Sequence, residues 1–388
     1  MTSRERVLAA FRHEEPDRTP IFEKLIKSPV ADDILGRPHA GVNFHYRMQR
    51  LADGDWEGLV EQEARDTIDV AKAMGFDMVR LYPNALPGPR PERLDENSWR
   101  VGDVVEELLD SGWVRTRPAN AAADAGVRPS WTEADDERGL RAWLGAEYVE
   151  PTYVDDQWRV FRCARRIIAD EGLDLAVFAS AYGMPVATLP RVIFEWFVTD
   201  RPALHRYYDR CSWPTEALAK ALAREGADIV GLGGDLACDH GPMISPRDYR
   251  EFIAPRIRQQ SDAVHGLGAF TTNASDGDLW PLLDHFLLDA GVDGFEEIDY
   301  AAGMDLGRLK AAYGDRMCLV GNMDIRFILT RGSVEETSRA TIECIEKGRG
   351  RGGHVVMSSN CIHENVQLAN FLAYVNAYRR YFGLEPVR

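Results

Sequence analysis

With 388 residues, 45% of them hydrophobic and 28% charged, the chain is long enough for one large α/β barrel with insertions or for two average domains. A formal net charge of −16 argues against a nucleic-acid partner, because phosphate binding needs concentrated lysine and arginine, although a local basic pocket for a small anion is compatible with it. No stretch reaches the roughly 20 apolar residues needed to span a bilayer, Met1 to Pro16 lacks the apolar core of a signal peptide, and the six cysteines form no CxxC pair, so a cytoplasmic protein with no membrane partner is expected.

In chain order, the first strand-like runs are Thr19 to Leu25 and Asp77 to Tyr82. Pro87 to Glu150 then breaks the pattern. Within it, Trp99 to Val104 and Glu107 to Arg117 read as short strands, the second turning at Asp110-Ser111-Gly112, and Ala119 to Arg128 reads as an exposed loop. From Leu173 onward strands and amphipathic helices alternate. The strands are Leu173 to Phe178, Asp228 to Leu232, Gly268 to Asn273, Gly294 to Ile298, Met317 to Gly321 and His354 to Met357. Helical spacing recurs over Pro246 to His265, Leu279 to Ala290, Leu306 to Tyr313, Val334 to Lys347 and Val366 to Tyr381. Eight strands joined by helical crossovers predict a (β/α)8 TIM barrel, one unit over residues 1–388, with 87–150 inserted after the second strand near the barrel mouth.

Catalytic groups in such barrels collect where strands end. Two polar clusters, Thr271 to Gly277 and Ser358 to His363, each follow a strand and precede a helix. Asp235-Leu236-Ala237-Cys238-Asp239-His240 ends the fourth strand; Asp235 reads either as a loop cap or as a substrate anchor or acid/base group. Strand alternation sends one of Glu296 and Glu297 inward, and Glu297 is taken as a general acid. Tyr82 and Tyr182 can offer hydroxyls to a substrate or simply pack, and Asn273 and Asn322 read as substrate ligands or turn formers.

Several segments, in order, resemble the uroporphyrinogen decarboxylase-like superfamily. They are Thr2 to Phe11, His13-Glu14-Glu15-Pro16-Asp17-Arg18-Thr19-Pro20, Gly234-Asp235-Leu236, Gly241 to Pro246, Tyr249 to Phe252, Ser275-Asp276-Gly277, Gly314-Asp315-Arg316, Gly321-Asn322-Met323-Asp324 and the Gly352-to-Cys361 strand. The resemblance implies a (β/α)8 barrel, a homodimer, and one of two chemistries: decarboxylation of a tetrapyrrole's acetate arms, or zinc-dependent methyl transfer between corrinoid proteins and thiols. The decarboxylases' arginine-rich signature falls on Phe22 to Lys27, where Glu23 opposes a polyanion and Lys24 lacks the arginine fork. In the methyltransferases, zinc is held by a His-x-Cys pair and a later Cys. Here these positions are Ala274, Asp276 and Cys361, so a metal site would have to be rebuilt from Asp276, Cys361 and His363, Asp239 or His240.

The expected protein is therefore an enzyme that moves a methyl group between a small molecule, a corrinoid protein or a thiol. Asp235, Asp276 and Glu297 are its catalytic candidates. The rival readings are a cofactor-free carboxy-lyase, with Lys24 or Arg80 binding the carboxylate, and a non-catalytic small-molecule-binding protein.

Overall fold

A computed structural model describes residues 1–110, 112–119, 137–184 and 186–387. The strands in chain order are β1 (Met78–Arg80), β2 (Glu92–Arg93), β3 (Ser98–Val101), β4 (Val104–Leu108), β5 (Val114–Pro118), β6 (Ala176–Ser180), β7 (Ile229–Gly233), β8 (Ala237–Cys238), β9 (Gly241–Pro242), β10 (Phe270–Ala274), β11 (Gly294–Glu296), β12 (Cys318–Val320) and β13 (His354–Val355). Seven of them form one sheet in the order β1-β6-β7-β10-β11-β12-β13, with every pairing parallel. An extended segment at 20–22 joins the two edges. Ile21 makes a parallel bridge to Val356, the Phe22 N–H donates to Val356 O, and the Asp77 N–H donates to Ile21 O. The ring thereby closes as a (β/α)8 barrel, each strand reached by a helical crossover.

Alternation along the strands separates two cores. Phe22, Met78, Phe178, Ile229, Cys318, Val320, Val355 and Met357 point inward and fill the barrel together with Val7, Ala10 and Phe11 of the helix Ser3–Phe11. That helix begins on a capping box, Thr2 with Glu5, and plugs one end of the barrel. The Phe11 and Phe270 rings lie 5.4 Å apart. The outward residues pack against the surrounding helices.

The same end explains the N-terminal motif. Asp77, fully buried at the start of β1, accepts hydrogen bonds from Arg6 Nη1 at 2.7 Å, both Arg18 Nη atoms at 2.7 and 2.8 Å, Ser3 Oγ at 2.8 Å and the Ile21 N–H at 3.0 Å. Arg18 also reaches the Tyr378 hydroxyl on the helix Leu368–Tyr381, so one carboxylate ties both chain ends to the barrel.

Between β1 and β6 the chain forms a four-stranded antiparallel sheet, β2-β3-β4-β5. The expected strand Trp99 to Val104 is in fact divided, because Gly102, at φ 60°, turns the chain between β3 and β4. The expected hairpin is present: the Leu109 N–H donates to Trp113 O and the Gly112 N–H to Leu109 O. Ser111 and residues 120–136, including most of the expected Ala119 to Arg128 loop, lie outside the described residues. No helix among the described residues is long and apolar enough to cross a membrane.

Candidate active site

The alternation that fills the barrel also fixes what stands above its filling. Lys24 follows Phe22, Arg80 follows Met78, Ser180 and Tyr182 follow Phe178, and Thr272 follows Phe270, all in inward register. The Lys24 ammonium, its side chain only 4% exposed, pairs with Glu297, lies 3.5 Å from Glu296 Oε2, and donates to the Tyr182 hydroxyl at 3.1 Å. Tyr182 donates in turn to Glu296 Oε1 at 3.0 Å, which also accepts from Thr272 Oγ1 at 2.7 Å. Tyr182 as a residue is 37% exposed, while its hydroxyl is held between Lys24 and Glu296.

Both glutamates reach Lys24, although strict alternation would send one of them outward. Glu297 has φ 59°, a left-handed conformation uncommon for a non-glycine residue, and this turn brings its side chain back to the side of Glu296. Gly231 makes room: a Cβ there would sit 2.7 Å from Glu296 Oε1 and 2.8 Å from Phe178 Cζ. Burial opposes the charge on Lys24, but Tyr182, Glu296 and Glu297 outweigh it and raise its pKa well above the ordinary value, so it keeps its proton. Glu296 is pushed upward by burial, opposed by Lys24 and reinforced by Glu297.

Asp276 stands beside this network on the loop after β10. Burial first, then repulsion from Glu297 and Asp235, raises its pKa to about 7, against a smaller opposing effect of Asn360. Asn360 Nδ2 donates to both Asp276 oxygens, at 3.0 and 2.7 Å, and Asn360 Oδ1 accepts the Cys361 N–H at 2.6 Å. One asparagine thus links the carboxyl at 276 to the residue at 361, and both belong to the same end of the barrel. Asp235 is raised by burial and by Glu297, while the Asp276 N–H bonds to it and partly offsets this. The Cys361 thiol is also raised by burial, against the pull of Lys24, Arg80 and Lys27.

The loop after Asp276 is tightly seated. Gly277 has φ 91°, and a Cβ there would lie 2.7 Å from Ala237 C and 2.8 Å from Cys238 N. Gly277→Ala is expected to lower stability by about 1–3 kcal/mol through overpacking, read as a shift in the urea midpoint.

Other expected site residues lie elsewhere. Glu23, in outward register, accepts the Ser358 N–H at 2.9 Å and contacts Tyr374, with its pKa raised to about 7 by burial. Its charge therefore does not face the open end; the excess of carboxylates there comes from Asp235, Asp276, Glu296 and Glu297. A buried acid raised in the folded state stabilises fully below its ordinary value and loses that contribution as pH rises through about 7. Glu23→Gln is accordingly expected to flatten the fall in melting temperature between pH 5 and 8. Asn273 donates outward to Tyr249 and Phe286 O, Asn322 to Met304 O, and the Tyr82 hydroxyl to Glu63. Arg80 points inward and donates to Ser180 Oγ at 3.0 Å.

The rebuilt metal set does not assemble. Among the described residues no three His, Cys, Asp or Glu side chains stand close enough to hold a metal ion. Ala274 has no donor, and Asn360 engages both Asp276 oxygens. His363 Nδ1 accepts the Asn365 N–H, and His240 is exposed. These donors do not fit zinc. Groups that sequence reasoning missed are Asn360, whose role depends on a distant carboxylate, and Arg326, which joins Asp239 and Asp299 across the rim.

Comparison with known proteins decides the family. A family model described as Uroporphyrinogen decarboxylase (URO-D) matches residues 177–381. The chain belongs to the uroporphyrinogen decarboxylase family. Among curated members, methylcobamide:CoM methyltransferase MtaA of Methanosarcina barkeri is 25% identical over 190 residues, 49% of this chain and 52% of that protein. Uroporphyrinogen decarboxylase of Pseudoalteromonas atlantica is 29% identical over 191 residues, 47% of this chain and 50% of that protein. The chain thus spans about half the length of the curated relatives it matches. A solved methyltransferase from Methanosarcina mazei shares the fold, with TM-score 0.64 and 20% identity over 98% of this chain and 99% of that one. The family members compared are methyltransferases or decarboxylases, so its reaction must be argued from its own residues.

Proposed function

We propose that this family member is a demethylating methyltransferase. It takes a methyl group from oxygen or nitrogen of a small methylated compound and passes it to a corrinoid carried by a partner protein, or to a thiol. The observation that carries the reading is Asp276, a carboxyl at the strand ends whose pKa burial, with crowding by Glu297 and Asp235, raises to about 7, so that about half of it carries a proton at pH 7. Breaking the carbon–heteroatom bond leaves an electron pair on the departing atom. A neutral Asp276 supplies the proton that this atom needs, while the acceptor's own lone pair makes the new bond to methyl. Asp235 orients the donor, and Glu297, with Lys24, fixes the local charge. No step is assigned to zinc. We further read residues 1–388 as one unit whose 87–150 insertion reaches the open end, where the Trp113 ring lies 3.3 Å from the Lys27 ammonium.

A second reading, a cofactor-free carboxy-lyase, is favoured by the same proton donor: Asp276 would protonate the carbanion left when carbon dioxide departs. One experiment separates the two. Purified protein is incubated with O-methyl and N-methyl compounds and cob(I)alamin, and in parallel with a panel of carboxylic acids. Formation of methylcobalamin is expected. Carbon dioxide release without methylcobalamin supports the lyase, and neither product sinks both readings.

A further inference from the structure

The open end of the barrel carries charges of both signs. Asp235, Asp276 and Glu297 act on one another. Arg80 and Lys27 act on Cys361, as do Lys24 and, with the opposite sign, Glu297. Neither Arg80 nor Lys27 makes a salt bridge to a carboxylate among the described residues. Arg80 Nη2 donates to Ser180 Oγ at 3.0 Å, and its guanidinium lies 5.8 Å from the Tyr82 ring centroid. Lys27 has only the Trp113 ring, with Glu364 near it but beyond ion-pair reach. Among the described residues, Arg80 Nε and Lys27 Nζ are buried without a hydrogen-bond partner. Lys24 is already matched by Glu296 and Glu297.

A buried donor without a partner carries an unrecovered desolvation cost, which is removed when an anion supplies the acceptor. The planar guanidinium of Arg80 offers the fork that a carboxylate fills with two parallel bonds, and Lys27 adds a point charge. The carboxylates Asp235, Asp276 and Glu297 suit a cationic nitrogen.

We infer that the compound bound here is a zwitterion, an N-methylated amino acid whose carboxylate rests on Arg80 and Lys27 and whose amine faces Asp235, Asp276 and Glu297. This inference rests on the methyl-transfer reading and names its donor. The amine nitrogen arrives protonated and shares that proton with Asp276. The nitrogen–methyl bond then breaks with its electron pair staying on nitrogen, the methyl joins the cobalt(I) corrinoid or thiolate acceptor, and the product is the amino acid with one methyl fewer.

The test is calorimetry on the full chain at pH 7 with N,N-dimethylglycine, N,N-dimethyl-β-alanine and 4-(dimethylamino)butyrate, against dimethylamine and butyrate. At least one zwitterion is expected to bind about tenfold or more tightly than either control. Arg80→Gln should erase that advantage without changing dimethylamine binding, and Arg80→Lys should restore part of it; circular dichroism checks folding. Lys27→Met provides the same test should the Arg80 variants fail to fold. No preference for any zwitterion, or a preference that survives both Arg80→Gln and Lys27→Met, overturns the inference. Tight zwitterion binding without methyl transfer to cob(I)alamin leaves this site standing and sinks the reaction proposed above. Methyl transfer from aryl methyl ethers without zwitterion preference does the reverse.

Discussion

Asp276→Asn is expected to lower kcat by about 10²–10⁴-fold, the range that a positioned general acid supplies. KM should change little, because Asp235 and Glu297 remain to hold the donor. The pH dependence carries the sharper statement. The carboxyl is neutral below its raised pKa of about 7 and ionised above it, so the wild-type rate should fall as pH rises through about 7. That limb should vanish in the asparagine variant. Glu297→Gln, which removes the largest of the three repelling charges, should move the limb to lower pH. Stability follows the same sign: a carboxyl raised from 3.8 to about 7 on folding contributes fully at low pH and loses that contribution as pH rises through about 7. Asp276→Asn should therefore flatten the melting temperature over that window while reducing the rate. An unchanged kcat would remove Asp276 from the chemistry.

Asp77→Ala is expected to cost about 3–5 kcal/mol, the range seen when a buried charge loses its partner. The removed carboxylate is fully buried and receives Arg6, both Nη atoms of Arg18, Ser3 Oγ and the Ile21 N–H. Arg6 keeps Asp17 at its outer edge, whereas Arg18 keeps only the Tyr378 hydroxyl and its ring. Three parts of the chain meet here: the helix Ser3–Phe11, the segment 17–21 that closes the ring, and the helix Leu368–Tyr381. The loss should appear as a lower urea midpoint, with catalysis per folded molecule preserved because the network lies at the end opposite the site. A midpoint within experimental error of wild type would show that the arginines find other partners.

How much of this was legible beforehand depended on how local the signal was. Seven of the eight expected barrel strands coincide with observed ones to within a few residues, and the first, Thr19 to Leu25, is present as an extended segment bridged at Ile21; the two longest described helices, Trp56–Met74 and Arg201–Glu225, are not among the expected ones. The split of Trp99 to Val104 escaped because Gly102-Asp103 is a tight turn inside a strand-like composition. Within the site, Lys24, Arg80, Tyr182, Asp276 and Glu297 are among the expected residues, whereas Glu296 is not, because alternation brings only one of the pair inward and Glu297 is the one taken. Asn273, Asn322 and Tyr82 are expected there too but do not join it, because their polar atoms are spent on neighbouring elements: Tyr249 and Phe286, Met304, and Glu63.

The sequence by itself determined the alternating architecture and the roster of polar residues where strands end, because a two-residue period is a property of the strand alone. It also showed, through Ala274, that the methyltransferases' metal ligands are not all present. Only the tertiary structure decided how those residues meet. The left-handed turn at Glu297 puts two neighbouring carboxylates on one lysine, Asn360 couples position 276 to 361, and Glu23 turns away toward Ser358. Whether a side chain is charged, paired or open to a ligand depends on groups far away in the chain, and folding alone brings those groups together.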